Sequence, residues 1–268
     1  MKKEDILKKI KKIEIASSII ASEIFSGSYR SYFKGNGMEF SDIRRYSLGD
    51  DVKKIDWKVS ARQRKTYVKE FIEEREINIY LLIDISPSNN FPAKQDLISQ
   101  LIGSLAFSAI KNNDKVGAIF FSDEVEKIIP LKKGKKQGLV ILENFLTLVP
   151  KGKGTDISKV LTSFYNFCKK RTVVFLISDF IDENYEKALK LVNKRHDLIP
   201  IRVADRRFDS LPQGAIFTLM DSESGEEITV ENLSKKESFD EELPKNILTL
   251  YTDENYVAKL TNYFKRRR

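Results

Sequence analysis

The sequence predicts an α/β protein: a doubly wound, mainly parallel sheet with helices on both faces, plus an N-terminal helix and an irregular extension. Three observations carry this. From residue 76 onward, short apolar runs alternate with segments of helical period, the pattern of a largely parallel sheet covered on both sides. Between residues 27 and 75 neither period lasts. The 268 residues are 41% hydrophobic, enough for one sizeable core. The chain divides accordingly into residues 1–75, a helix with an extension, and residues 76–268, the α/β region with its C-terminal strand and helix.

The first segment, "MKKEDILKKIKKIEIASSIIASEIF", is basic and then apolar. Glu14 and Glu23 interrupt the apolar part and no small-residue cleavage pattern follows, so it does not read as a signal peptide. Ile6, Ile10, Ile13, Ile20 and Ile24 recur at helical spacing and predict an amphipathic helix packed on the protein body. Lys8, Lys9, Lys11 and Lys12 leave contact with a membrane surface open. No stretch approaches the roughly 20 apolar residues of a membrane span. A cytoplasmic protein is expected, with peripheral contact at the inner face of the membrane as a secondary reading.

The extension is rich in Gly, Asp, Arg and aromatic residues, as in "GNGMEFSDIRRYSLGDDVKKIDWKVSARQRK". It predicts short strands and turns, with a strand near Tyr67–Glu73. Trp57 with Arg62, and Asp56 with Arg44 or Arg45, are its candidate internal contacts, and a structural role is favoured over catalysis.

The α/β region then unfolds in order. Strands are predicted at 77–84, 115–122, 124–131, 172–179, 198–205 and 247–252, and helices at 93–113, 137–149, 157–170, 184–196 and 254–268. Segments 215–221 and 226–232 flank "SESG", a hairpin signal.

Composition removes several chemistries. The one cysteine, Cys168, allows no internal disulfide and fits a reducing compartment. Its place in "VLTSFYNFCKK" predicts a small buried thiol. The one histidine, His196, excludes a multi-histidine zinc site. It sits at a predicted helix end, where it is expected to complement the last carbonyls. A net charge of +8 allows an acidic partner, although a Lys-rich solvated surface explains it as well.

Ligands of open α/β sheets sit beyond the carboxyl ends of the strands. Asp84 and Asp179 follow "YLLI" and "VFLIS" at two such ends. Asp84, Ser86 and Ser88 place three hard oxygen side chains within five residues, a donor set for Mg²⁺, Mn²⁺ or Ca²⁺. Alone, that spacing is explained equally well by a capping turn. "KGKGTDI" presents Thr155 on a Gly-rich loop before a helix, and "LISDF" presents Asp179. No GxxxxGK[ST] occurs, so nucleotide binding is expected from a partner.

These residues resemble the metal-ion-dependent adhesion site of von Willebrand factor A domains, MIDAS. The resemblance implies that Ser86, Ser88 and Thr155 ligate a metal, that Asp84 and Asp179 act directly or through water, and that a partner's acidic side chain fills the open position. A second resemblance covers nearly the whole chain. The extension, followed by "AFSAIKNNDKVGAIFFSDEVE", "GTDI", "SDF", "LPQGAIFTLMDSESGE" and "LTLYTDENYVAKLTNYFKRR", is similar to the signature of the bacterial and archaeal DUF58 family. It implies a von Willebrand factor A-like fold and work beside a MoxR-type AAA+ ATPase in chaperone-like or maturation activity, on an unknown client protein. Two departures stand out. Pro87 lies inside the metal motif, where it removes an N–H and restricts Ser86. "SKKESFDEELPKN" is shorter than the helical segment expected before the last strand.

Three function classes follow. The favoured one is a metal-dependent protein-interaction module, not an enzyme, with Mg²⁺ as the expected ion and Mn²⁺ or Ca²⁺ as alternatives. The second is a nucleic-acid-binding module using Lys132, Lys133, Lys135, Lys136, Lys151 and Lys153, with Lys265, Arg266, Arg267 and Arg268; no reading motif accompanies them. The third is a metal-assisted hydrolase in which Asp84 and Asp179 position a metal-bound water.

Overall fold

The computed structural model describes residues 3–25, 39–72, 76–89, 91–206, 216–220, 227–231, 244 and 246–266. Helix α1 (Lys3–Phe25) comes first. Strands β1 (Glu39–Arg45) and β2 (Tyr67–Ile72) pair antiparallel, with helix α2 (Trp57–Gln63) between them. The α/β region follows as β3 (Asn78–Asp84), α3 (Pro92–Lys111), β4 (Lys115–Phe121), β5 (Val125–Lys132), α4 (Lys135–Thr147), α5 (Ile157–Phe167), β6 (Val173–Ser178), α6 (Glu186–Asn193) and β7 (Asp197–Ala204). The hairpin β8 (Ile216–Met220) and β9 (Glu227–Glu231) precedes β10 (Leu248–Tyr251) and α7 (Tyr256–Arg266).

Six strands form the main sheet in the order β10-β7-β6-β3-β4-β5. All neighbours are parallel except β4 and β5. Counted by appearance in this sheet, the order is 3-2-1-4-5-6, the doubly wound arrangement. The chain builds outward from β3 through β4 and β5, then returns to the other side of β3 with β6. The crevice between the β3 and β6 ends is therefore the topological switch point.

Strand β3 shows why its residues make a central strand. Ile79, Leu81 and Ile83 point into one core, and Tyr80 and Leu82 into the other. Side chains alternate across a strand, so an unbroken apolar run serves two buried faces. The first core receives α3, α4, α7 and, outside α3, α1. The second receives α5 and α6. In α5, Ile157, Val160, Leu161 and Phe164 lie on one stripe, and Asp156 caps the helix by accepting from Lys159 N at 2.7 Å.

The predicted packing of the first helix is observed: Ile10 and Ile13 are buried in the first core, and Ile6 packs at its margin. The side chains of Ile20 and Ile24 lie outside the described residues. Helices α1 and α3 approach closely because Gly103 has no side chain. A Cβ there would stand 2.5 Å from Ile13 Cγ2 and 2.6 Å from Ser17 Oγ.

Several local expectations are corrected. Where the sequence predicts short strands and turns, helix α2 forms; it is seven residues long, too short for a period to register, and Asp56 caps it by accepting from Lys58 N and Val59 N. Asp56 pairs with Lys69 at 3.7 Å, whereas Arg44 holds Asp50 bidentately at 2.8 and 2.7 Å. That pairing pulls the Asp50 carboxyl down to about 2, with the Arg44 hydrogen bonds as the main cause and the Ser47 N–H next. Trp57 is exposed rather than internal. His196 does not place its ring on the helix end: its backbone N–H donates to Val192 O at 2.9 Å, and its buried ring lies edge-on to Phe164. Burial, then the Arg195 charge, push the imidazole below its ordinary range. Cys168 is buried, as predicted. "SKKESFDEELPKN", apart from Pro244 and Asn246, lies outside the described residues, as does the "SESG" turn.

Candidate metal centre

The site begins where β3 ends. Asp84 is fully buried. Its Oδ1 accepts from Ser86 N at 2.9 Å and its Oδ2 from Ser178 Oγ at 2.5 Å. The first bond turns the chain sharply after the strand. A 3-10 turn over Pro87–Asn89 continues it, closed by Asn89 N to Ser86 O at 3.0 Å. Pro87 opens that turn, where an N–H has no partner to lose. It removes no donor from Asp84, because the orienting donor is the N–H of Ser86. The turn brings Ser86 Oγ and Ser88 Oγ to 3.1 Å, both side chains buried.

Asp179 follows β6 and is also buried. Its Oδ1 accepts from Ile181 N at 3.3 Å and its Oδ2 from Lys94 Nζ at 2.9 Å. The same ammonium donates to Ser88 O at 3.2 Å. Phe180, next in the chain, has φ of 60°, an uncommon backbone conformation for a bulky residue and a form of strain that clusters at functional sites. It is held by Phe180 N donating to Ser178 Oγ at 3.0 Å and by an edge-on contact with Tyr185.

Thr155 arrives on a loop pinned from two sides. Asp156 N donates to Ser122 O at 3.1 Å, just past the end of β4. Ile157 N donates to Asp182 Oδ2 at 2.7 Å, in the loop after β6. Thr155 directly precedes both anchored residues, on the loop tied to the residues that follow β4 and β6. Upstream, Glu126 Oε1 gathers Lys151 N at 2.8 Å, Gly152 N at 3.0 Å and Ser122 Oγ at 2.8 Å. Burial opposes its charge, but the Gly152 N–H, the Ser122 hydroxyl and the Lys151 N–H outweigh that and hold the Glu126 carboxyl below its usual range. Gly152 is required for this approach, because a Cβ there would collide with Asp123 and Ser122 side-chain oxygens.

Two buried carboxylates close together are costly. Burial, then the Asp179 charge, push Asp84 up to about 7 against the pull of the Ser178 and Ser86 hydrogen bonds. Two buried oxygens of the site, Thr155 Oγ1 and Asn89 Oδ1, have no hydrogen-bond partner. Unpaired buried acceptors beside buried carboxylates fit a cation with hard oxygen ligands. Among the described residues no three His, Cys, Asp or Glu side chains gather where they could hold a metal, so a cation here depends on the hydroxyls. That donor set suits Mg²⁺ or Ca²⁺ better than zinc.

Of the five residues singled out in the sequence, Asp84, Ser86, Ser88 and Asp179 are joined by hydrogen bonds at the switch point, Asp179 through Lys94, and Thr155 stands on the loop anchored after β4 and β6. Sequence reasoning missed Ser178, Asn89 and Lys94. Ser178 had a signal, since it directly precedes Asp179 at the strand end. Lys94 had a faint one: it sits in the first turn of α3, where the helix dipole disfavours a cation.

The basic clusters are partly neutralised. Lys133 pairs with Glu76 at 2.7 Å, and Lys135 with Glu14. Lys132, Lys136, Lys151 and Lys153 are exposed, and Arg267 and Arg268 lie outside the described residues. A cleft of about 710 Å³ lies at the opposite edge of the sheet, between α6, β7, β10 and α7. Among the described residues no helix is long and apolar enough to cross a membrane.

Comparison with known proteins gives the chain its relatives. The family model described as "Protein of unknown function DUF58" matches residues 42–245. Uncharacterized protein Mb1516 of Mycobacterium bovis is 27% identical over 209 residues, covering 75% of this chain and 66% of its own length. The chain therefore spans just under two thirds of that relative. Uncharacterized protein YeaD of Bacillus subtilis is 32% identical over 94 residues, 35% of this chain and 22% of that protein. Among solved structures, the conserved hypothetical protein BatB from Bacteroides thetaiotaomicron is 17% identical, with a TM-score of 0.41 over 71% of this chain and 98% of that one. Proximal thread matrix protein 1 from the mussel byssus, with a zinc-occupied MIDAS motif, is 19% identical, with a TM-score of 0.40 over 72% of this chain and 47% of that one.

Proposed function

We propose that this chain, which belongs to the DUF58 family, is a metal-dependent protein-interaction module whose cation is held by Asp84, Ser86, Ser88, Thr155 and Asp179. The observation that carries the reading is the pair of unpartnered buried oxygens, Thr155 Oγ1 and Asn89 Oδ1, together with the two buried carboxylates of Asp84 and Asp179. A bound Mg²⁺, or Mn²⁺ or Ca²⁺, would supply an electrophilic centre for a carboxylate from a partner.

The chain's own residues do the positioning. Ser86 N and Ser178 Oγ orient Asp84. The 3-10 turn sets Ser86 and Ser88 side by side. Glu126 and Asp182 hold the loop that carries Thr155. Neutral hydroxyls leave a cation less neutralised than a cage of carboxylates would, which favours capture of an external acid. In this reading the chain is an adaptor and not an enzyme. The DUF58 resemblance makes a MoxR-type AAA+ ATPase and its client the partners to test first, on the cytoplasmic side. The exposed Lys8, Lys11 and Lys12 of α1 leave room for peripheral membrane contact.

Isothermal titration with Mg²⁺ and Mn²⁺ tests the metal. Wild type is expected to bind and Asp84→Ala is not; no binding by wild type, or equal binding by the variant, overturns the reading. A pulldown from native lysate with and without EDTA tests the partner, with metal-dependent recovery of an AAA+ protein expected.

A further inference from the structure

We infer that Lys94 is a built-in rival of the divalent cation: its ammonium holds Asp179 and must leave for metal to bind. The inference rests on the metal reading above and adds a regulator to it. Lys94 Nζ lies 2.9 Å from Asp179 Oδ2 and 3.2 Å from Ser88 O. Both side chains of the pair are under a tenth exposed, 7% for Lys94 and 3% for Asp179. Lysine is almost never buried unless paired, and here the pair is with a proposed metal ligand.

Nothing local explains a lysine at this position. It lies in the first turn of α3, three residues after Phe91, which caps the helix without any side-chain hydrogen bond. The positive end of the helix dipole repels a cation there. The attraction comes from across the sheet end, from Asp179 on a loop 85 residues away in sequence. The contact therefore belongs to the site and not to the helix.

The ammonium does not complete the site. It engages Asp179 and the Ser88 carbonyl, and leaves Thr155 Oγ1 and Asn89 Oδ1 without partners. A divalent ion using Asp179 would place a second positive charge against Lys94 within a buried space, where repulsion is weakly screened. Metal entry thus requires Lys94 to swing out and release Ser88. A partner carboxylate adds negative charge at that moment, so cation and partner are favoured together over cation alone. Lys94 makes the site wait for its partner.

The test is titration of Mg²⁺ and Mn²⁺ into wild type, Lys94→Met and Lys94→Gln, each checked for folding by circular dichroism. Removing the rival is expected to tighten metal binding at least about tenfold, in keeping with the cost of breaking a buried ion pair. Affinity in both folded variants equal to or weaker than wild type overturns it and leaves the metal reading standing. No metal binding by any of the three overturns both. A measurement on wild type alone guards against variants that fail to fold: acylation of lysines read by mass spectrometry, with and without saturating MgCl₂. Reactivity at Lys94 is expected to rise with Mg²⁺ bound, and unchanged reactivity with bound Mg²⁺ overturns the inference.

Discussion

Ser178 Oγ donates to Asp84 Oδ2 at 2.5 Å, tying the ends of two adjacent parallel strands together beneath the candidate metal centre. The same hydroxyl accepts from Phe180 N at 3.0 Å, so one side chain holds both a carboxylate and the strained turn after β6. Ser178→Ala leaves a buried acceptor and a buried donor unpaired and is expected to cost about 1–3 kcal/mol. Denaturant unfolding of wild type and variant measures this. A loss indistinguishable from zero removes Ser178 from the positioning role.

Asp84 also sets a pH dependence. Its folded-state pKa of about 7 lies above the roughly 3.9 of an unfolded aspartate, so the folded state holds more protons between the two. The stability contributed by the protonated form is complete below about pH 4 and lost as pH rises through about 7. Thermal melts in EDTA from about pH 5 to about pH 8 are expected to show a falling Tm for wild type and a shallower fall for Asp84→Asn. An unaltered slope in the variant contradicts the assignment.

Glu126 separates holding the loop from holding the ion. Its hydrogen bonds go to Ser122 and not to the five proposed ligands, and it gathers the N–H groups of Lys151 and Gly152 ahead of Thr155. Glu126→Ala is expected to speed hydrogen exchange at those two amides and to weaken Mg²⁺ binding, with every proposed ligand still present. Slow exchange and unchanged affinity together would show that Thr155 is positioned without it.

The α1–α3 contact supplies a control remote from the site. Gly103→Val sets a branched side chain against Ile13 and Ser17, and overpacking of this kind costs about 1–3 kcal/mol. Unfolding should register that loss while Mg²⁺ affinity stays unchanged. A change in affinity of similar size would mean that α1 is coupled to the centre.

Much of the fold was legible because burial on two faces leaves an unmistakable mark. "YLLI" and "VVFLI" are apolar throughout because β3 and β6 lie between two cores, and the α1 stripe reads directly from Ile6, Ile10 and Ile13. Where short polar segments carry structure the signal faded. Helix α2 has only seven residues and a cap, and the Arg44–Asp50 pair stands in a stretch where several charges were equally good partners. The place of His196 in sequence points to a helix end and says nothing of Phe164, which packs against it from α5.

The sequence by itself determined the alternation of strands and helices, the acids and hydroxyls at the strand ends, and the single histidine that rules out a multi-histidine zinc site. These are properties of local spacing and composition, and they survive without coordinates. Only the tertiary structure decided that β6 returns beside β3, so that Asp179 faces Asp84 across the switch point. It also decided that Thr155 Oγ1 is left unpartnered and that Lys94 reaches Asp179. Those facts depend on segments up to 95 positions apart meeting at one sheet edge (Asp84 and Asp179). No local pattern encodes such meetings, because they are fixed by strand order and by which side chains the packed core turns inward.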